Sequence, residues 1–315
     1  MLCNYIIIKG KNKNNNCKLK ANYKLNEKTY CKRHYNLINI NKKENININN
    51  FKIKDFTIIK KIGNGTFGDV YKINHNITKE IYALKINNTK KDLLYYEYLL
   101  LSQHFIDNNY FPKLLEYPNI SYKKEKNFIY LITEYFEETL KDRLNRYKLS
   151  EEQIKNYILQ IINIIEFIHT KHYIYIDIKP ENFMFKTIND NNIKIIDFGI
   201  CEKYLDNKGI HKTDKKLTNS IGTDLYSSIR MMKAKQPGRI DDIECISYLL
   251  IYLYYGNLPW ELLSQKQILK QKINIINDKI FNELPIYIKN FILLVKDYTK
   301  FDEKPNYNKF KSILQ

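Results

Sequence analysis

The run Tyr175-Ile176-Asp177-Ile178-Lys179-Pro180-Glu181-Asn182 sets a carboxylate, a lysine and an amide close together, and Asp197-Phe198-Gly199 adds a second carboxylate after two short apolar runs. Such a set suits the movement of a phosphoryl group. That reaction asks little covalent chemistry of the protein: one carboxylate orients the attacking hydroxyl, while the other and the amide hold a magnesium ion on the phosphates. An Asp-Phe-Gly string alone would carry little weight unless the remaining parts precede it in a workable order.

They do. Gly63-Asn64-Gly65-Thr66-Phe67-Gly68-Asp69-Val70 lies between two β-type runs, Phe56 to Ile62 and Val70 to Ile73. The glycines are therefore expected at a hairpin tip, where the lack of a Cβ tolerates positive φ and lets backbone N–H groups approach phosphate oxygens. Ala83-Leu84-Lys85 falls in a third run, Ile81 to Ile86, which places a lysine on the next strand. Asp92 to His104 reads as a helix with one acid beyond its first turn, Glu97. A Lys85–Glu97 pair would hold the ammonium against the α- and β-phosphates of a nucleotide.

With these parts in order, residues 55–315 resemble a eukaryotic-type protein kinase, and within that superfamily the casein kinase I and vaccinia-related kinase branch. Gly222-Thr223, followed by Tyr226 and Ser228-Ile229, stands where most kinases carry Ala-Pro-Glu. Arg239-Ile240-Asp241-Asp242-Ile243-Glu244, Gly256-Asn257-Leu258-Pro259-Trp260 and Phe301-Asp302-Glu303-Lys304-Pro305-Asn306-Tyr307 also resemble that branch, and Gly209-Ile210-His211-Lys212 tilts the choice toward the vaccinia-related kinases. The resemblance implies an α+β fold of two lobes, with an antiparallel sheet and one helix over about 55–136 and a mainly helical lobe over about 137–315. It further implies ATP and Mg²⁺ as cofactors, protein substrates, and a monomer.

Carried onto this sequence, the resemblance makes Lys85, Glu97, Asp177, Lys179, Asn182, Asp197 and Thr223 the catalytic set, with Asn182 and Asp197 on magnesium. Lys179 and Thr223 favour serine and threonine acceptors over tyrosine. The nucleotide would contact Ile62, Gly63, Asn64, Gly65, Thr66, Phe67, Gly68, Val70, Ala83 and Lys85, with Thr133 guarding the pocket behind adenine and the backbone of Glu134 and Phe136 binding it. Two positions depart from the pattern. Tyr175-Ile176 replaces the usual His-Arg, so no arginine is available for a phosphorylated activation loop, a lack shared with vaccinia-related kinases. Arg230 falls where the acid of Ala-Pro-Glu belongs, which removes a buried ion pair and puts the anchoring of that segment in question.

Helical periodicity supports the second lobe. Ser150-Glu151-Glu152-Gln153 reads as a capping box that opens a helix with Ile154, Tyr157, Ile158, Ile161, Ile165 and Ile168 on its core face. His169 and His172 at its end receive no chemistry. Ile246 to Tyr255, apolar on all faces, reads as a buried helix, and Asp242 at its start is expected to brace the backbone of the catalytic loop.

The chain has 315 residues and a net charge of +18, of which residues 1–54 contribute +11. No apolar run reaches the roughly 18 residues a membrane span needs, and the short apolar start lacks a small-residue cleavage site. An intracellular, reducing setting is expected, and five cysteines agree with thiols or metal ligands over disulfides. Residues 36–54 are an Asn/Lys/Ile-rich linker. Residues 1–35 hold Cys3, Cys17, Cys31 and His34, a set that could close a structural zinc site, the alternative being reduced cysteines on a basic arm. This segment is similar to Cys/His boxes of large DNA viruses, which implies a viral source and a setting in host cytoplasm or virion. Its charge could bind nucleic acid through phosphates, although solvated lysines explain it equally. The rival to an active enzyme is a pseudokinase scaffold recruiting partners through this arm.

Overall fold

The computed structural model describes residues 23–25, 28–30, 55–65, 68–87, 93–106, 108–115, 122–124 and 129–315. The chain divides into two compact units, residues 1–56 and 57–315. In the first, β1 (Tyr23–Leu25) pairs antiparallel with β2 (Lys28–Tyr30). The proposed zinc ligands Cys3, Cys17, Cys31 and His34 lie outside the described residues.

The second unit opens with β3 (Phe56–Gly65), β4 (Gly68–His75), β5 (Ile81–Asn87), α1 (Leu93–Leu99), β6 (Tyr122–Lys124) and β7 (Ile129–Glu134). The strands form one sheet in the order β3-β4-β5-β7-β6. Strand alternation assigns the faces of this sheet: Tyr71, Ile73, Leu84 and Ile86 are buried on one side. The register pairs Val70 with Lys85, Lys85 with Leu131 and Ala83 with Thr133, so these residues share the opposite face. Lys85 therefore sits on the cleft side because its apolar neighbours claim the core side. α1 runs on into a π-helical turn, Leu100–His104, whose Leu100 and Leu101 are buried.

The helical lobe follows. It comprises β8 (Glu138–Thr139), α2 (Leu140–Arg146), α3 (Glu151–Thr170), β9 (Tyr173–Ile174), β10 (Phe183–Phe185), β11 (Lys194–Ile195), β12 (Glu202–Lys203), α4 (Ile229–Met232), α5 (Arg239–Tyr255), α6 (Gln265–Ile273), α7 (Lys279–Glu283), α8 (Ile286–Lys296) and α9 (Tyr307–Ser312). The capping box of Ser150 and Gln153 forms as expected, and Ile154, Tyr157, Ile158, Ile161, Ile165 and Ile168 are all buried. α5 is buried from Ile240 to Leu253 except at Glu244 and packs between α3 and α8, so its lack of a polar face reflects helices on both sides. Among the described residues no helix is long and apolar enough to cross a membrane, and Cys201 and Cys245 are free and buried.

One buried cation holds the floor of this lobe. Arg143 donates from Nε to Glu138 at 2.8 Å, and from Nη1 to the Tyr157 hydroxyl at 2.9 Å and the Asp190 carbonyl at 2.7 Å. Its guanidinium lies 3.4 Å from the centre of the Phe185 ring. A planar, five-donor cation suits the junction, because the loop after β10 leaves several carbonyls facing inward.

Candidate active site

Both faces of the cleft converge on Lys85. Its ammonium lies 2.7 Å from Glu97 of α1 and 3.1 Å from Asp197 of the Asp-Phe-Gly segment. Burial opposes the charge on this lysine, but Asp197 and then Glu97 outweigh it and hold the ammonium pKa above its usual value. Three segments distant in sequence thus meet at one cation, and the sheet, the helix and the second lobe are locked in one relative arrangement.

Asp177 is nearly buried and gathers three partners. Lys179 approaches one carboxylate oxygen at 2.5 Å and the Asn182 amide donates to the same oxygen at 3.0 Å, while the Thr223 hydroxyl donates to the other at 2.8 Å. Asn182 also accepts the N–H of Ile196 through its backbone carbonyl at 3.0 Å, which draws the loop of Asn182 to the residue before Asp197. Asn182 and Asp197 both supply oxygen donors, the ligand class that magnesium takes. Among the described residues there is no cluster of three or more His, Cys, Asp or Glu side chains placed to hold a metal on its own.

The catalytic loop is strained and braced. Ile176 has φ of 75°, a region costly for a β-branched side chain, of order 1–3 kcal/mol, and Asp197, with φ of 64°, is of a type that tolerates that region better. Asp242 at the start of α5 accepts the N–H of Tyr175 at 2.7 Å and of Ile176 at 2.8 Å, and so offsets the strain with two buried, charge-assisted bonds. Tyr175 is fully buried, packs edge-on against Phe198 and donates its hydroxyl to the Ile196 carbonyl at 2.5 Å. The tyrosine therefore ties the catalytic loop to the Asp-Phe-Gly segment by both packing and a hydrogen bond.

In the glycine-rich turn, only part of the expected contact set is described: Thr66 and Phe67 lie outside it. Gly68 has φ of 136°, and a Cβ there would fall 2.0 Å from the carbonyl oxygen of Ile86, so no other residue fits. Gly63 has no positive φ and a Cβ there would meet only Val70, at 3.6 Å. Positive φ is thus not the reason for a glycine at position 63. Ile62 is exposed, and the Glu134 N–H donates to the Lys113 carbonyl at 2.8 Å.

The segment from Gly222 to Ile229 is anchored, but not by the ion pair that the Ala-Pro-Glu acid would make. Arg230 pairs with Asp214, donates to the Gln236 carbonyl at 2.7 Å and lies over the Phe301 ring. The anchor is instead Lys272 of α6, fully buried, whose ammonium donates to the carbonyls of Asp224 at 2.8 Å and Ser227 at 2.7 Å between the rings of Tyr248 and Trp260. Glu244 adds a bond to the Ile229 N–H at 2.9 Å. Lys272 escaped the sequence reading because nothing in its local pattern separates it from the other lysines of its helix.

Burial pushes the Lys272 pKa down to about 8. A base whose pKa is lowered on folding leaves the unfolded chain holding more protons between about 8 and 10.5, so stability rises with pH across that window. Relative to Lys272→Met, the natural chain should gain stability between pH 8 and pH 10 in urea unfolding. A constant difference between the two proteins would contradict this. The same variant leaves two buried carbonyls unpaired in the loop that carries Thr223.

These parts in this order define a protein kinase, and the chain belongs to that family: the protein kinase domain model matches residues 56–306. Within the family the chain is casein kinase I-like. It is 31% identical over 288 residues to a protein of Encephalitozoon cuniculi (strain GB-M1) described as a probable casein kinase I homolog, covering 84% of this chain and 85% of that one. A protein kinase domain implies use of ATP and Mg²⁺ and action on protein substrates.

Proposed function

We propose that the chain is an active serine/threonine protein kinase. The observation that carries this is Lys85 held at once by Glu97 and Asp197, the arrangement in which a lysine and a magnesium-binding carboxylate can both face the phosphates. ATP with magnesium supplies the phosphoryl group. Lys85 positions the α- and β-phosphates and Glu97 orients Lys85. Ile62, Val70 and Ala83 cover adenine with the turn from Gly63 to Gly68, while Thr133 limits the pocket and the backbone of Glu134 and Phe136 meets the base. Asn182 and Asp197 hold the metal, and Asp177 accepts the hydroxyl proton of the substrate. Lys179 neutralises charge on the transferring group, and Thr223 fixes the free rotation of Asp177.

Lys179 and Thr223 favour small aliphatic hydroxyls as acceptors. Phosphoamino-acid analysis of a mixed peptide library incubated with Mg-ATP should give phosphoserine and phosphothreonine, and a predominance of phosphotyrosine would overturn the assignment. Acidic or already phosphorylated peptides should be preferred. Residues 203–239 carry nine Lys and Arg side chains; Lys212, Arg230 and Arg239 are committed to Glu202, Asp214 and the Asp302 carbonyl, whereas Lys203, Lys208, Lys215, Lys216, Lys233 and Lys235 remain exposed to attract negative charge.

Activity should not depend on phosphorylation of Thr213, Thr218 or Ser220. Ile176 offers no cation to a loop phosphate, and the loop is already held by Lys212–Glu202 at 2.6 Å and by backbone bonds such as Gln236 N–H to the Lys215 carbonyl at 2.9 Å. Phosphatase treatment should leave the rate within about twofold, and a loss of about tenfold would defeat the argument. The zinc set of Cys3, Cys17, Cys31 and His34 rests on the sequence, and elemental analysis giving about one zinc per chain is the expected result.

A further inference from the structure

The C-terminal helix is joined to the catalytic loop by a buried chain of hydrogen bonds. The Tyr307 hydroxyl, at the start of α9, lies 2.7 Å from Nδ1 of His169 near the end of α3. Nε2 of the same ring lies 2.9 Å from Oδ2 of Asp242, the oxygen that also accepts the Tyr175 N–H. His169, Asp242 and Tyr307 are 3%, 0% and 4% exposed, so none of these bonds competes with water. Lys311 of α9 reaches Glu166 of α3 at 2.5 Å and docks the helix beside the histidine.

The order of donors along this chain follows from chemistry. A carboxylate only accepts, so Nε2 of His169 carries the hydrogen toward Asp242. In a neutral imidazole Nδ1 is then a bare acceptor, and the Tyr307 O–H must be its donor. Burial raises the pKa of the phenol, which keeps that proton in place. Without that hydroxyl, Nδ1 is left as a buried acceptor with no donor, so the ring is free to turn in its site, which loosens its bond to Asp242 and weakens the brace on Ile176, whose strained turn delivers Asp177.

We propose that Tyr307 is a positioning residue for phosphoryl transfer: its hydroxyl pins the His169 ring in the orientation that donates from Nε2 to Asp242, and so keeps Asp242 aimed at the backbone of the catalytic loop. The proposal rests on the kinase activity argued above. His169, left without a role by the sequence, becomes the middle of the chain, and the last helix becomes part of the catalytic apparatus at a distance.

The test uses the full chain. Tyr307→Phe keeps the ring and removes one hydroxyl. Its kcat should fall about tenfold, the worth of one buried hydrogen bond, with KM for ATP unchanged, because no nucleotide contact is touched. ¹⁵N spectra of the histidine rings should show His169 as the Nε2–H tautomer in both proteins, with the Nδ1 resonance displaced in the variant by loss of its hydrogen bond. In a His169→Leu background, where no ring nitrogen accepts the hydroxyl, the same tyrosine change should cost less than threefold. An unchanged Nδ1 resonance, a kcat within twofold of the natural protein, or an equal loss in the leucine background would each overturn the proposal. If the natural chain itself transfers no phosphate, the kinase reading fails, and the ring spectra still decide whether Tyr307 holds the ring.

Discussion

Lys85→Met and Asp197→Asn should each lower phosphotransfer from Mg-ATP to casein by about a thousandfold, because prepositioned charge supplies most of the rate in this chemistry. The two variants fail differently. Lys85→Met leaves Glu97, buried and 5% exposed, facing Asp197 without their shared cation, so it should also lose thermal stability. Asp197→Asn keeps the Lys85–Glu97 pair at 2.7 Å and should remain folded while losing the metal-dependent rate. A natural chain that transfers no more phosphate than either variant, across several substrates, would favour the scaffold alternative.

Arg143→Ala should destabilise the helical lobe strongly. It strands Glu138, 5% exposed, and leaves the Tyr157 hydroxyl and the Asp190 carbonyl without their shared donor. Loss of one partner of a buried pair costs about 3–5 kcal/mol, and the low end applies because Arg146 still reaches Glu138 at 2.7 Å. In a domain of this size that corresponds to a fall of roughly 6–12 °C in Tm by scanning calorimetry. Arg143→Met combined with Glu138→Leu should recover much of the loss, since no charge then stays buried alone. A fall of less than about 2 °C in the single variant would show that the loop carbonyls find water instead.

Residue type and local spacing were enough for the catalytic strings. Phosphoryl transfer needs particular groups at particular separations, and Asp177, Lys179 and Asn182 sit on one short loop, so their relationship is visible without coordinates. Periodicity was enough for the helices that bury one face, as at Ile154 to Ile168, and for α5, whose uniform apolarity announced neighbours on every side. Asp242 could be read as a brace because it opens that buried helix, where a carboxylate must find donors. What the folded chain alone decided are the contacts between residues far apart in sequence that local pattern does not mark. Lys272 looks like any surface lysine until two loop carbonyls close over it. Arg143 looks like the last turn of an ordinary helix until the loop after β10 turns its carbonyls inward. Tyr307 and His169, 138 positions apart, gain meaning only when α9 packs on α3. Burial is the physical reason in each case: a polar group taken out of water must find its partner in the fold, and the partner is chosen by tertiary packing, not by sequence spacing.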